Sequence, residues 1–358
     1  MPHNNMDYRV EIERLMDTVV KEGASDLHLS EGRPPIIRVN GNLVPLVKHA
    51  PFSAADMRGI AAILLPPESK VALDREKTAD FSFALPQSRF RGNIYYRQGS
   101  LSIALRIIPR AIKTLAELNL PPMLETFTRK PQGFFLVVGP IGQGKSTTLA
   151  SLIEVINQTR SEHILTIEDP IEYQFESKKS IIDQREVRLD TPSFNDALVS
   201  MFREDIDVCF IGEMRDRETM ATAVTAAETG HLIFSTLHTN DASQTLNRII
   251  DSFPANEQDQ IRVQLSTSLT GIFSQRLIPR ISGGLIPAYE LLINNSAVSN
   301  LIRERRIHEI DTVIETSSQE GMIDLNRCLS DLVRAGEITP ESAYVQSQNP
   351  KVLERMIS

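Results

Sequence analysis

The chain has 358 residues, of which 41% are apolar and 23% charged, with 38 Lys and Arg against 46 Asp and Glu. The length predicts two domains, and the apolar content is enough to build cores, which excludes a disordered or fibrous chain. A formal net charge of −8 argues against a nonspecific nucleic-acid binder, which needs excess positive charge. Two cysteines, Cys209 and Cys328, cannot make a four-thiolate zinc site and indicate a reducing compartment.

The first hundred or so residues have the pattern of a small α+β domain with a mainly antiparallel sheet. Apolar residues at helical spacing from Ile12 to Val19 predict an amphipathic helix that Gly23 would stop. A second helix is predicted over 53–65, with Ser53 as its N-cap and Asp56 at the capping-box position. Strands with a hairpin turn at Asn40-Gly41 complete the domain. The predicted strands are 26–29, 35–40, 81–83, 90–96 and 101–108.

The rest of the chain has a different pattern of apolar residues. Residues 109–122 separate it from the first domain. This segment holds three prolines and is the predicted linker between a first domain of residues 1–108 and a second of residues 123–358. Short unbroken apolar runs then alternate with helical patterns, which indicates a parallel sheet covered on both faces. From about Ala255 the chain is predicted to be mostly helical. The apolar runs are 133–138, 163–167, 208–211 and 232–236.

The sharpest functional signal is a glycine-rich loop over 139–146, which fits the pattern G-x-x-x-x-G-K-[ST]. Backbone N–H groups of such a loop wrap a phosphate chain, and glycines allow the backbone to come close. Lys145 can reach the β and γ oxygens, and the Ser146 hydroxyl can ligate magnesium. An apolar strand before the loop and a helix after it complete the context, and the helix N-terminus attracts phosphate. The predicted nucleotide contacts are Gly139, Pro140, Ile141, Gly142, Gln143, Gly144, Lys145, Ser146 and Thr147.

Two acids stand where a nucleotide hydrolase needs carboxylates. Glu213 follows the buried run 208–211, at the place of a Walker-B carboxylate, and is the predicted magnesium ligand together with Ser146. The usual Asp position is Gly212 here. Glu168 follows another predicted strand, and because the carboxyl ends of parallel strands face the ligand crevice it could orient the attacking water. Taken alone, each acid could instead be an ordinary strand-end or helix-capping residue.

Histidines and arginines supply the remaining candidates. His238 follows the run 232–236 and could hydrogen-bond the γ-phosphate, although a lone histidine there is more often structural. His231 precedes the same run and is a weaker candidate by itself. These histidines do not suggest a metal site, because no third ligand is apparent. Arginines of the first domain could stabilise transition-state charge, although most surface arginines are merely solvated. They are Arg89, Arg91, Arg97 and Arg106.

Taken in chain order, the glycine-rich loop, the two acidic segments and the histidine segment resemble those of the secretion-superfamily ATPases. Within that superfamily they resemble the type IV pilus retraction ATPases of the PilT/PilU family. The resemblance covers almost the whole chain. It implies a RecA-like ATPase domain, a smaller PAS-like α+β N-terminal domain, a homohexameric ring and ATP at the cleft between the domains. It adds His231 to the nucleotide contacts and gives catalytic roles to Glu168, Glu213, His238, Arg91 and Arg106. The matching blocks are Walker A (139–146), the Asp box (166–172), Walker B (211–216) and the His box (227–238).

Two features favour the retraction branch. The chain lacks the tetracysteine motif and the extra N-terminal domain of assembly motors, and residues 297–304 resemble the retraction signature A-I-R-N-L-I-R-E, with Ser299 in place of its arginine. Departures also occur in the glycine-rich loop, where Ile141 and Gln143 replace the common Thr and Ser. Neither position needs a side chain for phosphate contact, so we expect hydrolysis to survive.

The function expected from this resemblance is a hexameric motor that hydrolyses ATP with Mg²⁺ to power type IV pilus retraction and twitching motility. It would be cytoplasmic and held at the inner membrane through a pilus platform protein, with a possible paralogous retraction ATPase as partner and no nucleic acid. Three alternatives stay open at this point. They are a PilU-like accessory ATPase, a RecA-like nucleic-acid translocase, and a regulator that binds ATP with negligible turnover.

Overall fold

The computed structural model describes residues 7–39, 42–85, 88–108 and 111–357, so the predicted turn at Asn40-Gly41 lies outside the described residues. Two compact units divide the chain, residues 1–111 and residues 112–358. The division falls within the segment predicted as a linker. On its C-terminal side, Leu115 and Leu120 are buried in one apolar cluster with Leu124 and Phe127. Much of that segment is therefore part of the core of the second unit.

Within its described residues, the first unit is an antiparallel sheet in the order β3-β2-β1-β6-β5-β4, with helices covering one face. Its elements are α1 (Tyr8–Lys21), β1 (Asp26–Ser30), β2 (Ile36–Val39), β3 (Asn42–Pro45), α2 (Ala54–Leu64), α3 (Pro67–Glu76), β4 (Thr78–Leu85), β5 (Ser88–Arg97) and β6 (Ser100–Ile108). Alternate strand residues such as Leu27, Ile94 and Ile103 are buried with the apolar stripes of α1 and α2. The predicted helices and the PAS-like α+β architecture are confirmed.

Helix α2 begins with the predicted capping box. Ser53 Oγ accepts the N–H of Asp56 at 3.2 Å, and the Asp56 carboxylate accepts the N–H of Ser53 at 2.8 Å. We expect Ser53→Ala to lower the free energy of unfolding by about 1 kcal/mol, because one N–H of the first turn loses its acceptor. Urea titration followed by circular dichroism measures this change. Ser53→Asn, which keeps an acceptor, should lie within a few tenths of a kcal/mol of wild type, and an equal loss in both variants would contradict the capping role.

The other face of the first sheet carries a row of charged residues. Arg38, Asp26, Arg106 and Arg91 are successive Cα partners on β2, β1, β6 and β5. Arg106 Nε donates to Asp26 Oδ1 at 2.8 Å. Burial by itself would raise the pKa of Asp26, but hydrogen bonds from Ser25 and Arg106 outweigh it and hold that pKa below its usual value. The two predicted arginines, Arg91 and Arg106, are thus cross-strand neighbours and both are exposed.

The second unit is built on a mainly parallel sheet in the order β13-β12-β7-β11-β10-β8-β9. Its strands are β7 (Gly133–Val138), β8 (His163–Glu168), β9 (Ile181–Glu186), β10 (Val208–Ile211), β11 (Leu232–Leu237), β12 (Leu269–Pro279) and β13 (Leu285–Ile293). Successive residues of β7 belong to different apolar clusters, with Phe134 and Leu136 in one and Phe135 and Val137 in the other. The sheet is therefore covered on both faces, as the unbroken apolar runs predict.

Helices flank this sheet and continue to the end of the described chain. They are α4 (Glu125–Thr128), α5 (Lys145–Thr159), α6 (Phe194–Met201), α7 (Arg217–Glu228), α8 (Ala242–Asp251), α9 (Gln258–Ser268), α10 (Ser296–Arg303), α11 (Ile310–Thr316), α12 (Leu325–Arg334), α13 (Pro340–Gln346) and α14 (Pro350–Ile357). Short 3-10 turns occur at Pro122–Leu124, Ile307–Glu309 and Ser318–Glu320. None of the helices in the described ranges has both the length and the apolar character of a membrane span.

The prediction of a mostly helical chain after about Ala255 is wrong for residues 269–293. Strand β12 pairs in parallel with β7, and β13 pairs antiparallel with β12, so the two extend the central sheet. The pattern hid β12 because its apolar run is interrupted by Ser274, Gln275 and Arg276, which are nevertheless buried. The polar side chains at these positions form hydrogen bonds with loops at the edge of the sheet. In this respect β12 is unlike an ordinary buried strand.

Candidate functional site

The glycine-rich loop leaves the carboxyl end of β7 and enters α5. Gly139, Gly142 and Gly144 all have positive φ, at 146°, 79° and 79°. A Cβ on Gly139 would lie 2.4 Å from the carbonyl oxygen of Gln275, so only glycine fits there. A Cβ on Gly142 would meet nothing within 4 Å, which leaves open space at the middle of the loop. These backbone positions form the loop that wraps a phosphate chain in other proteins with this motif.

Lys145 is folded back onto the loop, and its side chain is almost completely buried. Its Nζ donates to the carbonyl oxygens of Gly139 and Pro140, each at 2.9 Å, and lies 3.2 Å from Nδ1 of His238. Burial lowers the pKa of Lys145, and the carboxylates of Glu213 and Glu172 act in the opposite direction. The lysine is therefore a cation held at the loop by weak carbonyl partners, which anionic oxygens can replace.

His238 lies between the lysine and the Walker-B acid. Its Nε2 is 3.5 Å from Oε2 of Glu213, while Nδ1 faces Lys145. Because an ammonium group has only donors, Nδ1 is the acceptor toward Lys145, and Nε2 is the ring nitrogen that faces Glu213. Glu213 also pairs with Arg215. The structure thus brings Lys145, His238 and Glu213 into one chain of contacts at the carboxyl edge of the sheet.

Glu168 ends β8 and is 4% exposed. Thr166 Oγ1 donates to its Oε1 at 2.8 Å, Gln184 Nε2 donates to the same oxygen at 3.3 Å, and the backbone N–H of Glu172 donates to Oε2 at 3.1 Å. Burial raises the pKa of Glu168 to about 7, and these hydrogen bonds only partly oppose it. A carboxyl with a pKa near neutrality is suited to general base catalysis.

This pKa predicts a pH dependence of turnover. A carboxyl can accept a proton only when it is ionised, so if Glu168 is the general base of ATP hydrolysis, kcat should rise about tenfold from pH 6 to pH 8 and then level off. Steady-state phosphate release across this range measures the profile. A flat profile would contradict the role of Glu168 as the base.

The same group should also make stability depend on pH. Its folded pKa of about 7 exceeds the ordinary 4.5, so the folded state binds more protons between these values and loses stability as the pH rises through them. Glu168→Gln removes this penalty, and its free energy of unfolding should gain on wild type by up to roughly 3 kcal/mol between pH 4.5 and 8. Urea titrations at both pH values measure the gain, and a difference that does not change with pH would count against the shifted pKa.

The structure does not bring His231 to this edge. His231 precedes β11 and His238 follows it, so the six-residue strand separates the two histidines along its length. The ring of His231 packs against Phe202, with centroids 5.4 Å apart, and its Nδ1 lies 3.1 Å from the carbonyl oxygen of Ala226. Within this unit His231 caps the end of the preceding helix and does not lie at the glycine-rich loop. Arg91 and Arg106 belong to the first unit, as described above.

Several contacts at the site were missed by sequence reasoning. Tyr173 places its hydroxyl 2.8 Å from Thr147 Oγ1 and so joins the segment after Glu168 to the start of α5. The guanidinium of Arg276 donates to two oxygens of Asn240, the backbone carbonyl and the side-chain oxygen, each at 3.1 Å. That contact, with Ser274 donating to the Asn240 carbonyl at 2.7 Å, holds the loop that follows His238. The one available signal was the run of polar residues inside the apolar segment 269–279.

The donor set fits a magnesium–nucleotide complex. Ser146 offers a hydroxyl in the first turn of α5, and Glu213 offers a carboxylate, both hard oxygen donors of the kind that Mg²⁺ prefers. Across the described ranges, no group of three or more His, Cys, Asp or Glu side chains could hold a metal ion by itself. Mg²⁺ is commonly held by one or two protein oxygens with phosphate and water completing the shell, so these two residues suffice only together with a nucleotide.

The fold and the loop define the second unit as a RecA-like P-loop nucleotide-binding domain. Residues 8–318 match the family model described as "Type II/IV secretion system protein". The chain belongs to this family.

Three relatives indicate the branch. The chain is 42% identical to the type IV pilus retraction ATPase PilT of Pseudomonas aeruginosa over 96% of this chain and 99% of that protein. It is 38% identical to the type IV pilus ATPase PilU of the same organism, over 97% and 91%. A crystal structure of the pilus retraction motor PilT with bound ADP superposes with a TM-score of 0.90 and 46% identity, over 96% of this chain and 98% of that one. The RecA-like domain with a smaller PAS-like domain is thereby confirmed.

Proposed function

We propose that this protein is an ATP-hydrolysing motor that powers the retraction of type IV pili, and so twitching motility. The observation that carries the proposal is the chain of contacts from Lys145 through His238 to Glu213 at the loop edge, in a protein related over its whole length to pilus retraction ATPases. The higher identity to PilT than to PilU supports the role of the principal motor over that of an accessory ATPase.

In the proposed mechanism, the loop N–H groups and Lys145 bind the phosphate chain of ATP, and Lys145 exchanges its carbonyl partners for phosphate oxygens. Glu168 orients the attacking water and accepts its proton. His238 donates from a ring nitrogen to the γ-phosphate, and Arg91 and Arg106 stabilise its charge. Bound Mg²⁺ would be held by Ser146 and Glu213 and would neutralise charge on the β and γ oxygens.

We further propose that the protein works as a homohexamer in the cytoplasm, attached to the inner membrane through the platform protein of the pilus. A paralogous retraction ATPase is a possible second partner. The functional domains would be residues 1–108 and 123–358, joined by the segment 109–122, and the hinge that lets turnover move one domain against the other would lie in the part of that segment before the buried Leu115. The nucleotide contact of His231 that the resemblance implies stays a prediction, and within its own unit this residue lies at the opposite end of β11 from the glycine-rich loop.

Steady-state phosphate release by the purified full chain, with and without DNA, tests the biochemical part of the proposal. A motor of this class releases phosphate without DNA. Stimulation by DNA together with salt-dependent DNA binding would favour a nucleic-acid translocase. Nucleotide binding with negligible turnover would favour a regulator or scaffold.

A further inference from the structure

Two glutamines join the glycine-rich loop to β12. Gln275 is 3% exposed, and both ends of its carboxamide are used. Its Oε1 accepts from Thr148 Oγ1 at 2.7 Å, and its Nε2 donates to the backbone carbonyl of Gln143 at 2.7 Å. In return, Gln143 Oε1 accepts the backbone N–H of Leu277 at 2.6 Å. We call this arrangement of Gln143 and Gln275 the two-glutamine clamp.

The clamp supplies hydrogen bonds where β12 has no neighbouring strand on one side. The pairing of β12 with β7 ends at Ser274 and Val138, so β12 runs on beside the loop without a strand on that side. On its other side β12 continues to pair with β13, where Leu277 lies opposite Pro287. A backbone N–H without a partner at this half-buried position would be costly, and the Gln143 side chain supplies the partner. A serine at position 143 is too short to reach it.

The clamp also fixes the orientation of one loop peptide. A trans peptide unit is planar, with its C=O and N–H groups pointing in opposite directions. Because Gln275 holds the carbonyl of Gln143 toward β12, the N–H of Gly144 must point away from β12. Gln143 is also held by its side chain, which accepts the N–H of Leu277. The loop is thus held by contacts that need no ligand.

We propose that Gln143 and Gln275 are positioning residues, which order the loop for the phosphate chain of a nucleotide before the nucleotide binds. The inference rests on the proposed function, since it names how this chain prepares that site. A loop that is already ordered loses less conformational freedom on binding, so the benefit is higher nucleotide affinity. Because substrate and transition state share this benefit, the clamp should act on KM and not on kcat.

The test compares Gln143→Ser with wild type and two further variants. The first measurement is amide hydrogen exchange at Leu277 in nucleotide-free protein, and the second is KM for ATP. We expect Gln143→Ser to exchange Leu277 about fivefold faster and to raise KM about fivefold with little change in kcat, because one hydrogen bond is lost. Gln143→Glu keeps the acceptor, so exchange should stay at the wild-type rate, while KM rises because the new carboxylate repels phosphate. Gln132→Ser, at an exposed position before β7, should change neither.

Several outcomes would overturn the inference. They are unchanged exchange in Gln143→Ser, faster exchange spread evenly through the second unit, faster exchange with an unchanged KM, and a loss of kcat at constant KM. Failure of the proposed function can be told apart from failure of this inference. If wild type hydrolyses no ATP, the motor proposal falls, but exchange at Leu277 and the affinity for ADP, used in place of KM, still decide whether the clamp orders the loop.

Discussion

Lys145→Met is expected to lower kcat for ATP hydrolysis by about a thousandfold or more. The variant keeps most of the length of the side chain but removes the cation that neutralises charge on the transferred phosphoryl group. In the free protein this ammonium is buried and contacts two loop carbonyls and His238. In the proposed mechanism the role of Lys145 is electrostatic, and methionine cannot take it over.

The structure also predicts that this loss is not a loss of folding. Burial of the lysine already disfavours its charged form, so an apolar replacement of similar length should leave the midpoint of thermal unfolding within a few degrees of wild type. Phosphate release and a thermal melt on the same preparation separate the two effects. As a control, Lys351→Met changes an exposed lysine of α14 and should leave kcat unaltered. A Lys145→Met variant with more than a tenth of wild-type activity would contradict the assignment of the loop.

Glu213→Gln is the second change with a large expected effect, a fall in kcat of about a hundredfold or more. The substitution keeps the shape of the side chain and removes the negative charge needed on the metal side of the site. It also removes the ion pair with Arg215 and leaves only an uncharged oxygen to face His238. The required Mg²⁺ concentration should rise as well, since one of the two protein oxygen donors is weakened.

A titration of phosphate release against Mg²⁺ at saturating ATP measures both consequences. The matched control is Glu257→Gln, which breaks a surface ion pair with Arg217 at 2.6 Å and should cost nothing in turnover. An unchanged rate in Glu213→Gln would show that the acid after β10 is only a strand-end residue. In that case Glu168 would be the remaining carboxylate to test as the metal-side group.

The parts of the fold set by local pattern could be predicted from the sequence. The apolar runs before Gly139, Glu168, Glu213 and His238 define parallel strands, and all four residues lie at or just after the carboxyl ends of those strands. The order of the strands in the sheet then brings them to one edge, as expected for this class of fold. The candidate site was therefore largely predictable from four short segments.

The remaining features depend on contacts between distant segments, which no local pattern contains. Gln275 lies 127 positions after Thr148 yet shares a hydrogen bond with it, and β12 was hidden by the polar residues that make such contacts. His231 is a different case, because its predicted contact is not supported within its own unit. The resemblance placed it with the nucleotide, but the length of β11 separates it from the loop within this unit. The sequence already placed His231 before the apolar run, but its contacts with Phe202 and Ala226 depend on how the neighbouring segments pack.

The most direct test of the central claim, that this protein powers pilus retraction, is a gene deletion in the native host. Surface pili are counted by electron microscopy and twitching motility is recorded in the same cells, with complementation by wild type and by Lys145→Met. The account predicts excess pili and lost motility, restored by wild type and not by Lys145→Met. Cells without pili would contradict it, because they would identify the protein as an assembly motor.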